Sequence, residues 1–203
     1  MRLSVSSLLL AFARLRRRLL TLASNQRGVA AVEFAMLLPV MITLYIGGVE
    51  ISRMVSVDRK VTLTARSVAD LVAQSTTVTN NEMTNILNAA NAVLAPYLSA
   101  NAKVTVSSVK IDADKKATIE WSDTCHGTAR AVNSTITLSP ALATPNTWLI
   151  WAEVSYTYTP IFGGAPTDLL YKLTGPKILQ DQIYMRPRLQ DSVTRSGASA
   201  TCS

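Results

Sequence analysis

Residues 29–49 form a run of 21 positions with one charged side chain, Glu33. At 1.5 Å per residue, a helix of that length measures about 31 Å, the depth of a bilayer's hydrocarbon core. The wholly uncharged part, residues 34–49, is slightly short by itself. Pro39 is predicted to kink the helix, because it removes the hydrogen bond to the carbonyl of Ala35. Gly47 and Gly48 add a second soft point. A buried core helix of a soluble domain could carry the same pattern, but the charges flanking the run are too lopsided for that reading.

The flanks set orientation and exclude one class of function. The 203-residue chain has a formal charge of +7, which invites a nucleic-acid reading. Six of its 20 basic residues (Arg2, Arg14, Arg16, Arg17, Arg18 and Arg27) fall in the first 28 positions, which hold no acid; the remainder carries 14 basic against 13 acidic side chains. The charge is thus an N-terminal address and not a nucleic-acid-binding face. The apolar stretch at residues 8–13 is too short for a secretory core segment, which needs roughly 7–15 residues. The fit to a twin-arginine signal is poor. Basic residues on the N-terminal side predict a cytoplasmic N-terminus and a translocated C-terminal part. The expected organisation is a basic cytoplasmic leader (1–28), a transmembrane helix (29–51), a helical continuation outside the membrane (52–75) and a periplasmic domain (76–203).

A carboxylate at the start of a membrane helix is costly unless it stays wet or finds a partner. Headgroup depth would account for tolerance of Glu33, but not for its setting. A basic leader ends in Gly28, and the glutamate follows five residues later inside an apolar run. The strings Arg27-Gly28-Val29-Ala30-Ala31-Val32-Glu33-Phe34-Ala35, Leu37-Leu38-Pro39 and Gly47-Gly48-Val49-Glu50 resemble the N-terminal signature of TadE-like proteins, pilin-like components of the tight-adherence (Tad) pilus machinery. The Glu33-Phe34 pair is similar to the Glu-Tyr of Flp prepilins. Residues 156–162 and Met185-Arg186-Pro187-Arg188 are similar to the C-terminal part of TadE-like proteins. The resemblance implies that a prepilin peptidase cuts between Gly28 and Val29 on the cytoplasmic face. Cleavage there would leave an ammonium on Val29, one helical turn from Glu33. In an assembled bundle the carboxylate can pair with the ammonium of a neighbouring subunit, a register device in low dielectric.

Beyond the membrane run, Met54, Val57, Val61, Thr64, Val68 and Leu71 recur at three and four residues. This seam fits either packing on the chain's own domain or contact with another subunit. Arg66 and Asp70 are spaced to pair on the outer face. One helix over about 29–75 is expected, the layout of a pilin-like first helix. Thr79-Asn80-Asn81-Glu82 reads as a capping box. The helix after it buries Met83, Ile86, Leu87, Ala90, Val93 and Leu94, and Pro96 ends it. Strands are expected at 103–111 and 116–122, joined by Asp112-Ala113-Asp114-Lys115, with Ala117, Ile119 and Trp121 sharing a face. Residues 147–159 give the clearest alternation, Trp148, Ile150, Ala152, Val154, Tyr156 and Tyr158, with Leu149 and Trp151 making the second face partly apolar. A short strand is expected at 183–186. The fold class is α+β: a long membrane-spanning helix leading into a pilin-like domain with an antiparallel sheet.

Motifs of catalysis are lacking. His126 adjoins Cys125, and neighbours on a loop do not face each other across a cleft as a nucleophilic pair must. Asp112, Asp114, Glu120 and Asp123 interleave with Lys110, Lys115 and Lys116, which reads as a solvated hairpin. No phosphate loop, HExxH or GxSxG string occurs. Nor does the Asp-x-Ser-x-Ser metal motif, which speaks against the larger TadG-like proteins. The expectation is no enzyme, no cofactor, no metal and no small-molecule substrate. In an oxidising compartment Cys125 and Cys202 suggest one bridge. Two free thiols or a bridge between subunits are the alternatives. Pilin-like domains commonly fasten their C-terminal region to the sheet this way, and the resemblance implies the same here. The reading as a whole is a minor pseudopilin or assembly component in the inner membrane. Its partners would be a prepilin peptidase, other pilin-like subunits and Tad assembly proteins. The alternatives are an unprocessed anchored assembly factor and a tethered binding protein.

Overall fold

The computed structural model describes residues 26–97, 99–161, 175–197 and 202. Residues 1–25 of the basic leader, and Phe162 in the Tyr-Thr-Tyr-Thr-Pro stretch, lie outside these. The chain divides into two compact units at Val49/Glu50.

In the first unit the described residues belong to helix α1, Gln26–Ala73, which continues into the second. It is the one helix among the described residues long and apolar enough to cross a membrane. Its apolar side chains are bare: Phe34, Met36, Leu37, Leu44 and Tyr45 are all exposed. The helix runs through Pro39 without a break in assignment, and the Thr43 hydroxyl donates to the Pro39 carbonyl at 2.8 Å.

In the second unit, the 50–73 part of α1 buries Val57, Val61, Ala65, Val68 and Val72 completely. The predicted seam is therefore taken up by the chain's own core. Leu71 is a correction: it is exposed, and Val72 takes its place. The step from 68 to 72 stays on one face of a 3.6-residue helix, whereas 71 begins to leave it. Asp70 is a second correction. It pairs with Arg188, and the Arg188 amide donates to the Ala73 carbonyl at 2.9 Å, so the chain after the sheet docks on the end of α1. Strand β1 (Thr77–Thr79) follows, then α2 (Asn80–Leu94). The capping box is present as read: Glu82 N–H donates to the Thr79 hydroxyl, and Glu82 Oε2 accepts from the Thr79 amide at 2.8 Å. α2 buries Met83, Ile86, Leu87, Ala90 and Leu94, whereas Val93, expected on the same face, is only half-buried. Lys60, from α1, donates to the carbonyls of Val93 and Ala95, placing a cation on the C-terminal carbonyls of α2.

A short 3₁₀ turn, Ser99–Asn101, leads into β2 (Ala102–Ile111), β3 (Ala117–Cys125), β4 (Thr135–Ile136), β5 (Thr147–Tyr158) and β6 (Lys177–Met185); β7 (Thr194–Ser196) is the last strand among the described residues. The five central strands form an antiparallel sheet in the order β4-β3-β2-β5-β6. β1 and β7 pair in parallel, Val78 opposite Arg195. The β2–β3 turn is held by Asp112 Oδ1, which accepts from the amides of Asp114 and Lys116.

The two faces of the sheet have separate cores. One face, with α1, α2 and Val193, buries Val104, Val106, Trp121, Ile150, Ala152, Val154 and Tyr156. The other buries Val109, Ile111, Ala117, Ile119, Leu149 and Trp151 under Leu138 and Leu142. The expectation that Ala117, Ile119 and Trp121 share a face is overturned. A bulge places Ser108 opposite Trp121 but Val109 opposite Ile119, leaving Glu120 as the extra residue. An added residue inverts the two-residue alternation, so Trp121 turns to the helix side. β6 starts six residues before its predicted beginning. Its Asp181 and Gln182 break the apolar alternation that would have marked it.

Candidate functional site

The sequence-predicted processing and assembly residues, Gly28, Val29, Glu33 and Phe34, all lie on the first turns of α1 and are all exposed. Val29 and Glu33 are four apart and so share a helix face. A Cβ built at Gly28, Gly47 or Gly48 would meet nothing within 4 Å. Packing within the single chain does not require a glycine at any of the three. The surface of this segment is apolar along its length, with one carboxylate near its start.

Where α1 enters the folded unit, Glu50 is only 3% exposed. Its Oε2 accepts from the Tyr158 hydroxyl at 2.5 Å, and its Oε1 from the Ile161 amide at 2.9 Å. The buried carboxylate is thus supplied with donors by the end of β5 and the residues after it. The Tyr158 hydroxyl is pushed up to about 12, first by burial, then by its hydrogen bond to Glu50 and that residue's charge, with Arg53 opposing. Sequence reasoning passed over this pair. The available signal was a glutamate ending an apolar run, together with the tyrosine-rich end of the best-defined strand.

The C-terminal tail is pinned from several sides. Cys125 and Cys202 are bonded, with Cα atoms 5.5 Å apart. Cys125 is therefore no thiol nucleophile, and His126 Nδ1 lies 3.2 Å from the Ala102 carbonyl. Asp123 is a correction. It is not a solvated hairpin carboxylate but lies 2% exposed against Arg195, itself 7% exposed, at 2.6 Å. Arg195 also donates to the carbonyls of Val78 and Ser196 and to Asn80 Oδ1. The Trp121 indole donates to the Val193 carbonyl at 2.7 Å. Of the other hairpin carboxylates, Asp112 serves the turn, and Glu120 accepts from Ser108 at 3.1 Å. Among the described residues no group of three or more His, Cys, Asp or Glu side chains could hold a metal ion.

The polar end of the second sheet face forms an open groove of about 630 Å³, lined by Lys103, Thr105, Arg130, Glu153, Ser155 and Gln182 among others. Arg130 and Glu153 satisfy each other through two hydrogen bonds, 2.7 and 2.9 Å, and the guanidinium lies over the Trp151 ring at 3.9 Å. Burial raises the Tyr184 hydroxyl, with Glu153 adding to the rise and Arg130 opposing it. Here the ion pair holds the Arg130 guanidinium over Trp151, a member of the second core.

Residues 28–70 match the family of TadE-like proteins. The match begins at Gly28 and contains Glu33-Phe34, Leu37-Leu38-Pro39 and Gly47-Gly48-Val49-Glu50; the similar strings at 156–162 and 185–188 lie outside it. It covers α1 to within three residues of its end, and none of the sheet. No curated protein and no solved structure matches the chain.

Proposed function

We propose that this chain is a minor pseudopilin or assembly component of a Tad-type pilus. In this reading it is inserted in the inner membrane with its N-terminus cytoplasmic and residues 50–203 on the far side. A prepilin peptidase removes residues 1–28, and the apolar helix then packs among those of other pilin-like subunits. The observation that carries the reading is the bare apolar surface of residues 29–49, one exposed carboxylate near its start, in the segment that matches the TadE-like family. An apolar surface of this length needs lipid or other apolar helices around it. In this reading the helix makes those contacts, and the globular unit is the head.

The test is intact-mass measurement and N-terminal sequencing of the protein extracted from membranes of cells that hold the pilus system. A chain beginning at Val29 supports the reading, and Gly28→Leu should then leave a longer, unprocessed chain. Met1 retained in assembled, functional protein would favour a permanently anchored assembly factor instead.

A further inference from the structure

Three of the large apolar side chains exposed on the folded unit lie where the chain enters it. Glu50 follows Val49 directly. Whatever the angle of the preceding helix, its Cα is about 3.8 Å from the last residue of the apolar run. The Glu50 carboxylate then ties the end of β5 to this point through the Tyr158 hydroxyl and the Ile161 amide. At this end of the unit, Ile51 is 59% exposed and Ile161 57%, and Ile178, on the other face of the sheet, is 69% exposed. Ile178 is the strand partner of Thr157, and Lys177 is the partner of Tyr158, so both stand at the same end of the sheet. Arg53 is three residues beyond Glu50, on the adjoining face of the helix. Exposed isoleucines and two cations at one end of the unit match the chemistry of a bilayer interface. Apolar side chains enter the acyl boundary there, and Lys and Arg reach phosphate.

We propose that this end of the folded unit docks on the headgroup layer of the bilayer that holds residues 29–49, with Ile161 and Ile178 inserted and Lys177 and Arg53 on lipid phosphates. The proposal rests on reading residues 29–49 as a membrane anchor. Continuity with that anchor is what selects lipid as the occupant. The contact would hold the head against the membrane until the subunit is withdrawn.

The test uses the full chain in nanodiscs of phosphatidylethanolamine and phosphatidylglycerol. Nitroxide labels are placed singly through Ile178→Cys, Val132→Cys and Met36→Cys, and the unsubstituted chain checks that the bonded native cysteines take up no label. Val132 is an exposed control beside Asn133, whose amide bonds Ile119, next to the β2–β5 pair Val109 and Leu149. That places it nine residues, roughly 30 Å, along β5 from Tyr158. Collisions with oxygen, which concentrates in lipid, are compared with those of a water-soluble nickel chelate. The expected oxygen-to-nickel ratio at 178 is several-fold above that at 132 and below that at 36. A ratio at 178 equal to that at 132 overturns the docking while Met36 in lipid leaves the anchor standing. A label at 178 shielded from both reagents overturns it in favour of a protein contact. A label at 36 as wet as that at 132 overturns the anchor, and the docking with it.

Discussion

At the scale of single residues, Glu50 and Tyr158 show how a chain can bury a carboxylate where an apolar helix meets a folded head. An unpaired carboxylate in that position would be costly, and two donors offset the loss of water. Tyr158→Phe keeps the ring and removes one donor. The expected loss is about 1.5–3 kcal/mol, the range for hydrogen bonds to charged groups, read as a lower unfolding midpoint of the full chain in detergent. The same pair sets an alkaline limit. The Tyr158 hydroxyl titrates at about 12 in the folded chain against an ordinary 10, because burial and the Glu50 charge disfavour the phenolate. Folding therefore favours the protonated form. That contribution is whole below pH 10 and disappears as pH climbs from 10 to about 12. In a spectroscopic phenolate titration of the folded protein, Tyr158→Phe should remove one late-titrating component. An unchanged titration would show that the hydroxyl is not held as described.

At the scale of elements, one buried ion pair ties the β1–β7 pair to the five-stranded sheet. Arg195 reaches Asp123 on β3, Val78 on β1 and Asn80 at the start of α2, so a single side chain joins three elements to the tail. Arg195→Ala leaves Asp123 buried without its main partner, a change that costs about 3–5 kcal/mol. Replacing both, Asp123→Leu with Arg195→Met, should recover much of that loss, and a double-mutant cycle on chemical unfolding checks it. A double variant as unstable as the single one would mean that the guanidinium's other bonds matter more than the pair. Elements whose pattern is local were legible in the sequence. The capping box at Thr79, the helix seam through Val57, Val61 and Val68, and the alternation of 147–158 each repeat within a few residues. What depended on distant partners was not. β1 and β7 are three residues each and come together across 117 positions. The bulge at Glu120 becomes visible only once β2 supplies the register. Asp123 looked like its solvated neighbours because its partner lies 72 positions away. The candidate assembly residues were singled out by charge, hydropathy and the family resemblance, whereas the Glu50 socket needed the end of β5 to be brought to it.

At the scale of the whole molecule, the tail after β6 is held both by side-chain contacts and covalently. The bond between Cys125 and Cys202 spans a sequence separation of 77 residues. Closing a loop of that size restricts the unfolded chain by about 4.5 kcal/mol in the chain-entropy account. Mass spectrometry without reductant should find a monomer two hydrogens lighter than the reduced form. Alkylation of both thiols without reduction would overturn the bridge, and a covalent dimer would assign it to two chains. The double variant Cys125→Ser/Cys202→Ser should unfold at lower denaturant and lose protection of the Val193–Ser196 amides first, since those residues lie nearest the released end.

The division at Val49/Glu50 also separates what a substitution at Glu33 can affect. Glu33 is exposed on α1, 17 residues before Glu50, and belongs to the unit that contains none of the sheet or its cores. Glu33→Ala should therefore leave the unfolding midpoint of the head unchanged. It also removes a charge from an apolar run, which lowers the cost of insertion. The membrane-bound fraction should be equal or greater. What the variant lacks is the acceptor proposed to receive the Val29 ammonium of a neighbouring subunit after cleavage. In low dielectric such a pair fixes register even where its net stabilisation is small. Incorporation into sheared surface filaments, measured against the amount in the membrane, should fall sharply for Glu33→Ala and partly for Glu33→Gln, which keeps the shape and a hydrogen-bond acceptor but not the charge. Equal incorporation of Glu33→Ala and the unsubstituted chain, with equal processing, would remove the proposed pair from the account of assembly.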